Sequence, residues 1–154
     1  MARTSFNGPV ASANGFEGNL VGSVTGAETV TTLSAASTLT AAQSGTTFFL
    51  SSATEFATTL PAPAAGLIYT FIVGAAPSGA SYTIVTASSA NIIKGQAVNA
   101  AGDAGDSGTA DDTISFVDGQ AVAGDMVTVI SDGTSWFAKG VCAVAAGITF
   151  TQAS

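Results

Sequence analysis

The chain has no histidine, one cysteine and only three basic residues, Arg3, Lys94 and Lys139, against ten acidic ones. Charged side chains make up 8% of its 154 residues, where an ordinary soluble domain carries about a quarter. Each shortage excludes a class of function. Without histidine, neither a serine nor Cys142 has the usual imidazole base, which removes triad-type nucleophilic catalysis. Three scattered cations and a net charge of −7 cannot neutralise a run of phosphates. That argues against nucleic acid and against attraction to anionic lipid. A lone Cys142, set in the apolar run VCAVAA, cannot build an intrachain disulfide framework and reads as a small buried hydrophobe. No window approaches the roughly eighteen consecutive apolar residues of a membrane helix. The opening MARTSFNGPVASANG has no apolar core of signal-peptide length, so the expectation is synthesis in a cytoplasm.

What the chain does have is packing material. Hydrophobic residues are 47% of the sequence, with nine Phe, two Tyr and one Trp to fill a core. The length suits one domain. Residues 1–27 are set apart: glycines and Pro9 break SFNGPVASANGFEGNLVGSVTG, and Phe6, Val10, Phe16 and Leu20 stand isolated among Asn, Ser and Gly. This stretch reads as an extended N-terminal arm that orders against a sister subunit or a larger partner. Residues 28–154 read as a β-sandwich domain. Runs rich in Thr, Val, Ile and Phe recur between turn signals: Glu28–Leu33, Thr46–Leu50, Phe56–Leu60, Leu67–Val73, Tyr82–Thr86, Asn91–Ile93, Thr113–Val117, Met126–Ile130, Ser135–Lys139 and Ile148–Thr151. Ile114 and Phe116 alternate with Thr113 and Ser115, as a half-buried strand requires. LIYTFIV is apolar on both faces and predicts a central strand covered on both sides. Ser78-Gly79, Asp118-Gly119 and Asp132-Gly133 suit hairpin turns. Only SAASTLTAAQS tempts a helix assignment, and its Thr and Ser dilute that tendency. No fixed-period repeat points to a solenoid. The fold class expected is all-β, a jelly-roll-like sandwich with an extended N-terminal arm.

Candidates for chemistry are few. Asp103, Asp106, Asp111 and Asp112 lie in Ala100–Asp112, read as a long polar loop projecting from the sandwich. Their spacing does not match a calcium-binding EF-hand, and a solvated loop is the plainer reading. Glu28 and Glu55 border strands without polar support, which leaves no acid–base pair for glycoside hydrolysis. Lys94 reads as a gatekeeper on an edge strand rather than a catalytic lysine. Trp136 plugs one end of the core or, exposed near a turn, stacks on sugar; the core reading is preferred. The Thr-Thr pairs are too irregularly spaced for an ice-binding ladder. No catalytic residue, no cofactor and no metal is expected, and the chain reads as a structural protein, not an enzyme.

Three stretches carry a resemblance. ARTSFNGPVASANGF, then TTLPAPAAGLIYTFIV followed by ASYTIVTASSANIIKG, and finally GDMVTVISDGTSWFAKGV together resemble small β-domain structural proteins of tailed bacteriophages. The likeness is greatest to head decoration, or capsid cement, proteins, including those of phages of marine bacteria and cyanobacteria. It covers most of the chain, least well the Asp-rich segment. LPAPAAGL and SDGTSWF also resemble parts of tail and fibre modules, and the N-terminal phrase tips the likeness toward the head. The resemblance implies a homotrimer on the outer surface of an HK97-type shell of major capsid protein, and it carries over no active site. Contact candidates are Phe6, Pro9 and Phe16 as arm anchors, with Arg3 for an acidic capsid residue. The alternative is a receptor- or glycan-binding module of a tail fibre or spike, although the chain shows no fibrous repeat.

Overall fold

The computed structural model describes residues 28–102 and 104–152. The arm expected over 1–27, with Arg3, Phe6, Pro9 and Phe16, lies outside the described residues, as does Asp103. Twelve strands form two sheets. In chain order they are β1 (Thr29–Leu33), β2 (Ser37–Thr38), β3 (Thr46–Leu50), β4 (Ala57–Thr59), β5 (Ile68–Val73) and β6 (Tyr82–Val85). The second half supplies β7 (Ile93–Asn99), β8 (Ala104–Asp111), β9 (Thr113–Phe116), β10 (Met126–Ser131), β11 (Trp136–Cys142) and β12 (Ile148–Thr151). The seven-stranded sheet runs β1-β3-β5-β10-β11-β7-β8, and the five-stranded sheet runs β12-β9-β6-β4-β2. The molecule is an all-β sandwich.

Strand order departs from the antiparallel double Greek key that a jelly roll would have. The first six strands alternate between the sheets. In one sheet β1, β3 and β5 are parallel neighbours; in the other, β2, β4 and β6 are. The chain therefore winds as a short coil before it turns to antiparallel pairing. Thr29 pairs with Thr46 and Thr46 with Tyr69, while Ser37 pairs with Thr58 and Ala57 with Thr83. Successive coils are of unequal length, which is why no repeat period shows in the sequence.

The core lies between the sheets and is strongly aromatic. Phe48, Tyr69, Phe71 and Trp136 from the larger sheet meet Tyr82, Ile84, Ile114 and Phe116 from the smaller. Phe48 and Phe71 stack at 5.6 Å between ring centroids, and Tyr69 tilts against Trp136 at 5.7 Å. Such offset and tilted pairs add about 0.5–1.5 kcal/mol beyond the area they bury. The phenols find partners at the rim: Tyr69 donates to the Thr40 carbonyl (3.0 Å) and Tyr82 to that of Ser52 (2.9 Å).

Three expectations about the elements need correction. The segment Ala100–Asp112 does not project as a loop: Ala104–Asp111 is β8, antiparallel to β7 and packed also beside β12. Its backbone comes so close to its neighbours that a Cβ on Gly105 would stand 2.8 Å from the Ala97 carbonyl oxygen, and one on Gly108 2.9 Å from Phe150 Cβ. Polar composition hid a strand that is held by backbone approach, not by apolar alternation. Secondly, only Asp132-Gly133 turns a hairpin, β10 to β11; Ser78-Gly79 and Asp118-Gly119 lie on crossings between the sheets. Thirdly, β5 is central but covered on one side: Tyr69, Phe71 and Val73 are buried, whereas Thr70 and Ile72 are half-buried and Ile68 is exposed. In keeping with its diluted helical tendency, the Ala-rich SAASTLTAAQS forms no α-helix, only a 3-10 turn at Ala41–Gln43.

Candidate interaction surface

The two outer faces of the sandwich differ sharply. On the five-stranded sheet, Thr83, Ser115 and Thr149 line up in register, and the neighbouring row runs Thr59, Val85, Thr113 and Thr151. That face is coated with hydroxyls, as a solvated sheet surface should be.

The seven-stranded sheet is different. Paired residues share a face, so its outer surface is read from the registers. One row crosses the sheet as Phe49, Ile72, Met126, Val141 and Val98. The next is Val30, Thr47, Thr70, Thr128, Lys139 and Gln96. A third holds Ile68, Ile130, Phe137 and Lys94. Two apolar rows thus flank one of hydroxyls. Val30 is 58% exposed, Ile130 47% and Phe137 40%. Among the described residues, every large exposed apolar side chain other than Val122 and Val144 belongs to this face. Large contiguous apolar exposure on a folded domain marks a surface that something covers.

Three hydroxyls of the middle row are already satisfied. Thr70 and Thr128 share a hydrogen bond of 3.0 Å between their hydroxyls, and the Thr47 hydroxyl donates to the Glu28 carboxylate. Glu28 therefore has a polar neighbour, contrary to expectation. Hydroxyls that satisfy each other can be taken out of water without leaving an unpaired group. Charge is segregated along the face. Glu28 stands at the β1 border; Lys94 and Lys139 stand at the far side, on β7 and β11. Lys94 sits 5.7 Å from the Phe137 ring centroid, a cation–π distance. It is no edge gatekeeper, because β7 lies between β11 and β8.

Four aspartates accept hydrogen bonds from backbone N–H groups or a neighbouring hydroxyl. Asp106 accepts from the Phe150 backbone N–H at 2.8 Å, tying β8 to β12 across the gap between the sheets. Asp112 is buried and accepts from the Thr113 hydroxyl at 2.7 Å. Asp125 caps two loops, accepting from the Val122 and Ala143 N–H groups at 3.0 and 2.8 Å. Asp132 accepts from Thr134 and Ser135 at 2.8 and 2.7 Å within the hairpin; those bonds, led by that of Ser135, hold its carboxyl below the usual range. Among the described residues, no three His, Cys, Asp or Glu gather as metal ligands, and no pocket opens. Trp136 is 0% exposed, so it has no face to offer a sugar. Cys142 is buried, as its apolar context foretold, and burial pushes its thiol pKa up.

Searches against protein-family models, curated proteins and solved structures returned no match to the chain.

Proposed function

We propose that the chain is a virion structural protein that attaches as a trimer to the outer surface of a phage capsid and stabilises the shell by bridging capsomers. The observation that supports reading the chain as one that works by contact with protein neighbours is the apolar outer face of the seven-stranded sheet, in a molecule whose described residues form no pocket. The phage capsid as partner rests on the sequence resemblance. A surface poor in charge suits a protein much of whose exterior becomes interface. The arm, with Phe6, Pro9, Phe16 and Arg3, is the part assigned to the shell. The mechanism is linkage: a protein that binds only the assembled lattice stabilises it by mass action, and repeated contacts within a trimer multiply the effect.

The test is binding to mature, DNA-filled capsids of an HK97-type phage. Saturable binding, a raised temperature of capsid opening and loss of binding on deletion of residues 1–27 are expected. Absence of the protein from purified particles of the virus that encodes it would refute the assignment.

A further inference from the structure

We infer that the outer face of the seven-stranded sheet is the seat of a second copy of this chain, related by a two-fold axis parallel to the strands between β5 and β10. The inference goes beyond capsid attachment, which is assigned to the arm, and it concerns the purified chain alone.

The registers make the face self-complementary. Rotation about such an axis exchanges β5 with β10, β3 with β11 and β1 with β7. Ile68 of one copy then lies over Ile130 of the other, Thr70 over Thr128, Ile72 over Met126 and Phe49 over Val141. Apolar rows meet apolar rows, and the hydroxyl row meets its like. At the margins, Glu28 precedes β1 by one residue; continuing the Thr29–Thr46–Tyr69 register one step puts it at the level of Ile68 and hence of Lys94, so the rotation sets each Glu28 against Lys94 of the other copy. Lys139 then approaches Thr47 and the carboxylate that Thr47 binds. The pairing is isologous, each contact occurring twice.

Charge selects this axis over its rival. A two-fold running across the strands along the hydroxyl row would stack Lys139 on Lys139 and leave Glu28 opposite Thr32. Juxtaposed like charges at an interface are strongly disfavoured, and complementary ones fix register. The size is sufficient for a modest contact. Six strands at spacings of about 4.8 Å and three rows about 7 Å apart give a face of about 500 Å² per copy. The pair therefore buries roughly 1,000 Å², the lower bound for a specific interface. Two sheets packed face to face at about 10 Å is an ordinary arrangement for β proteins.

The experiment is multi-angle light scattering and sedimentation of the full chain between about 1 and 300 µM. The wild type is expected to show a higher weight-average mass than Glu28→Lys or Lys94→Glu at the same concentration, and to reach twice the single-chain or single-trimer mass at a lower concentration than either. Each single variant weakens pairing about tenfold or more, because it sets like charges opposite one another twice per dimer. The double variant Glu28→Lys, Lys94→Glu restores pairing, since the swapped charges again face their opposites. Ile130→Lys, beside the axis, abolishes it while melting no lower than the wild type does at concentrations too low for pairing, its position being exposed in the single chain. A wild-type mass equal to that of all four variants overturns the inference, whether that mass is a monomer's or a trimer's. A double variant no better paired than the singles overturns the register. Because no capsid is present, these outcomes are separate from those of the capsid-binding test.

Discussion

Replacing Thr58 by valine should stabilise the protein. Thr58 lies on β4, faces the core and is 0% exposed, yet its hydroxyl oxygen has no hydrogen-bond partner. A buried hydroxyl left unmatched costs about 1–3 kcal/mol relative to its hydrated state. Valine has the same branched shape, so it introduces no clash. Its added methyl group stands to gain up to about 0.8 kcal/mol from burial. Allowing for incomplete relaxation around the new methyl, a net gain of about 1–2 kcal/mol is expected. For a domain of this size that raises Tm by about 3–8 °C. Thr58→Ser is the matched control, since it keeps the hydroxyl and removes the methyl; it should cost about 1 kcal/mol. Thermal and urea unfolding of the three proteins, followed by the fluorescence of Trp136, would provide the comparison. A valine variant that melts at or below the wild type would refute the placement of this side chain in a dry core.

Three further outcomes are expected. Gly95→Ala should destabilise by about 3 kcal/mol in urea unfolding, because the new Cβ would stand 2.2 Å from the Ala138 carbonyl oxygen and one of the paired strands β7 and β11 must shift. Asp132 has a folded-state pKa below its unfolded value of about 3.9, so its contribution is present above that pH and is lost as pH falls through the folded value. The stability difference between wild type and Asp132→Asn, which does not titrate, should favour the wild type at pH 7 and close below about pH 4. Cys142, buried and with its thiol pKa pushed up by desolvation, should resist a thiol-specific reagent at pH 8 in the native protein and react on addition of denaturant.

The sequence revealed strands where the apolar signal was strong and hid them where backbone geometry did the work. Thr46–Leu50 and Ile148–Thr151 were legible to the residue because Phe48, Leu50, Ile148 and Phe150 point inward between hydroxyl or half-exposed neighbours. Ala104–Asp111 was illegible because glycine and aspartate signal a turn to any propensity scale, while here glycine permits close strand approach and Asp106 bridges to β12. The burial of Trp136 and Cys142 followed from their apolar neighbours. The interaction surface was not readable in advance. Met126, Ile130, Phe137 and Val141 come together only through pairing across β10 and β11, and Ile68 and Ile72 join them through β5. The clue in the sequence was that LIYTFIV carries apolar residues on both sides, Thr70 excepted, which pointed to two coverings where the single chain supplies one.

One broad side of this molecule is coated with hydroxyls and the other carries two apolar rows, and that gives it a direction as well as a shape. Any layer it forms would present a hydroxyl-rich exterior of Thr83, Ser115 and Thr149 to the medium, while the oily side is turned inward. Spread at an air–water boundary, the same polarity would orient every molecule alike, with the apolar rows of the seven-stranded sheet turned toward the air.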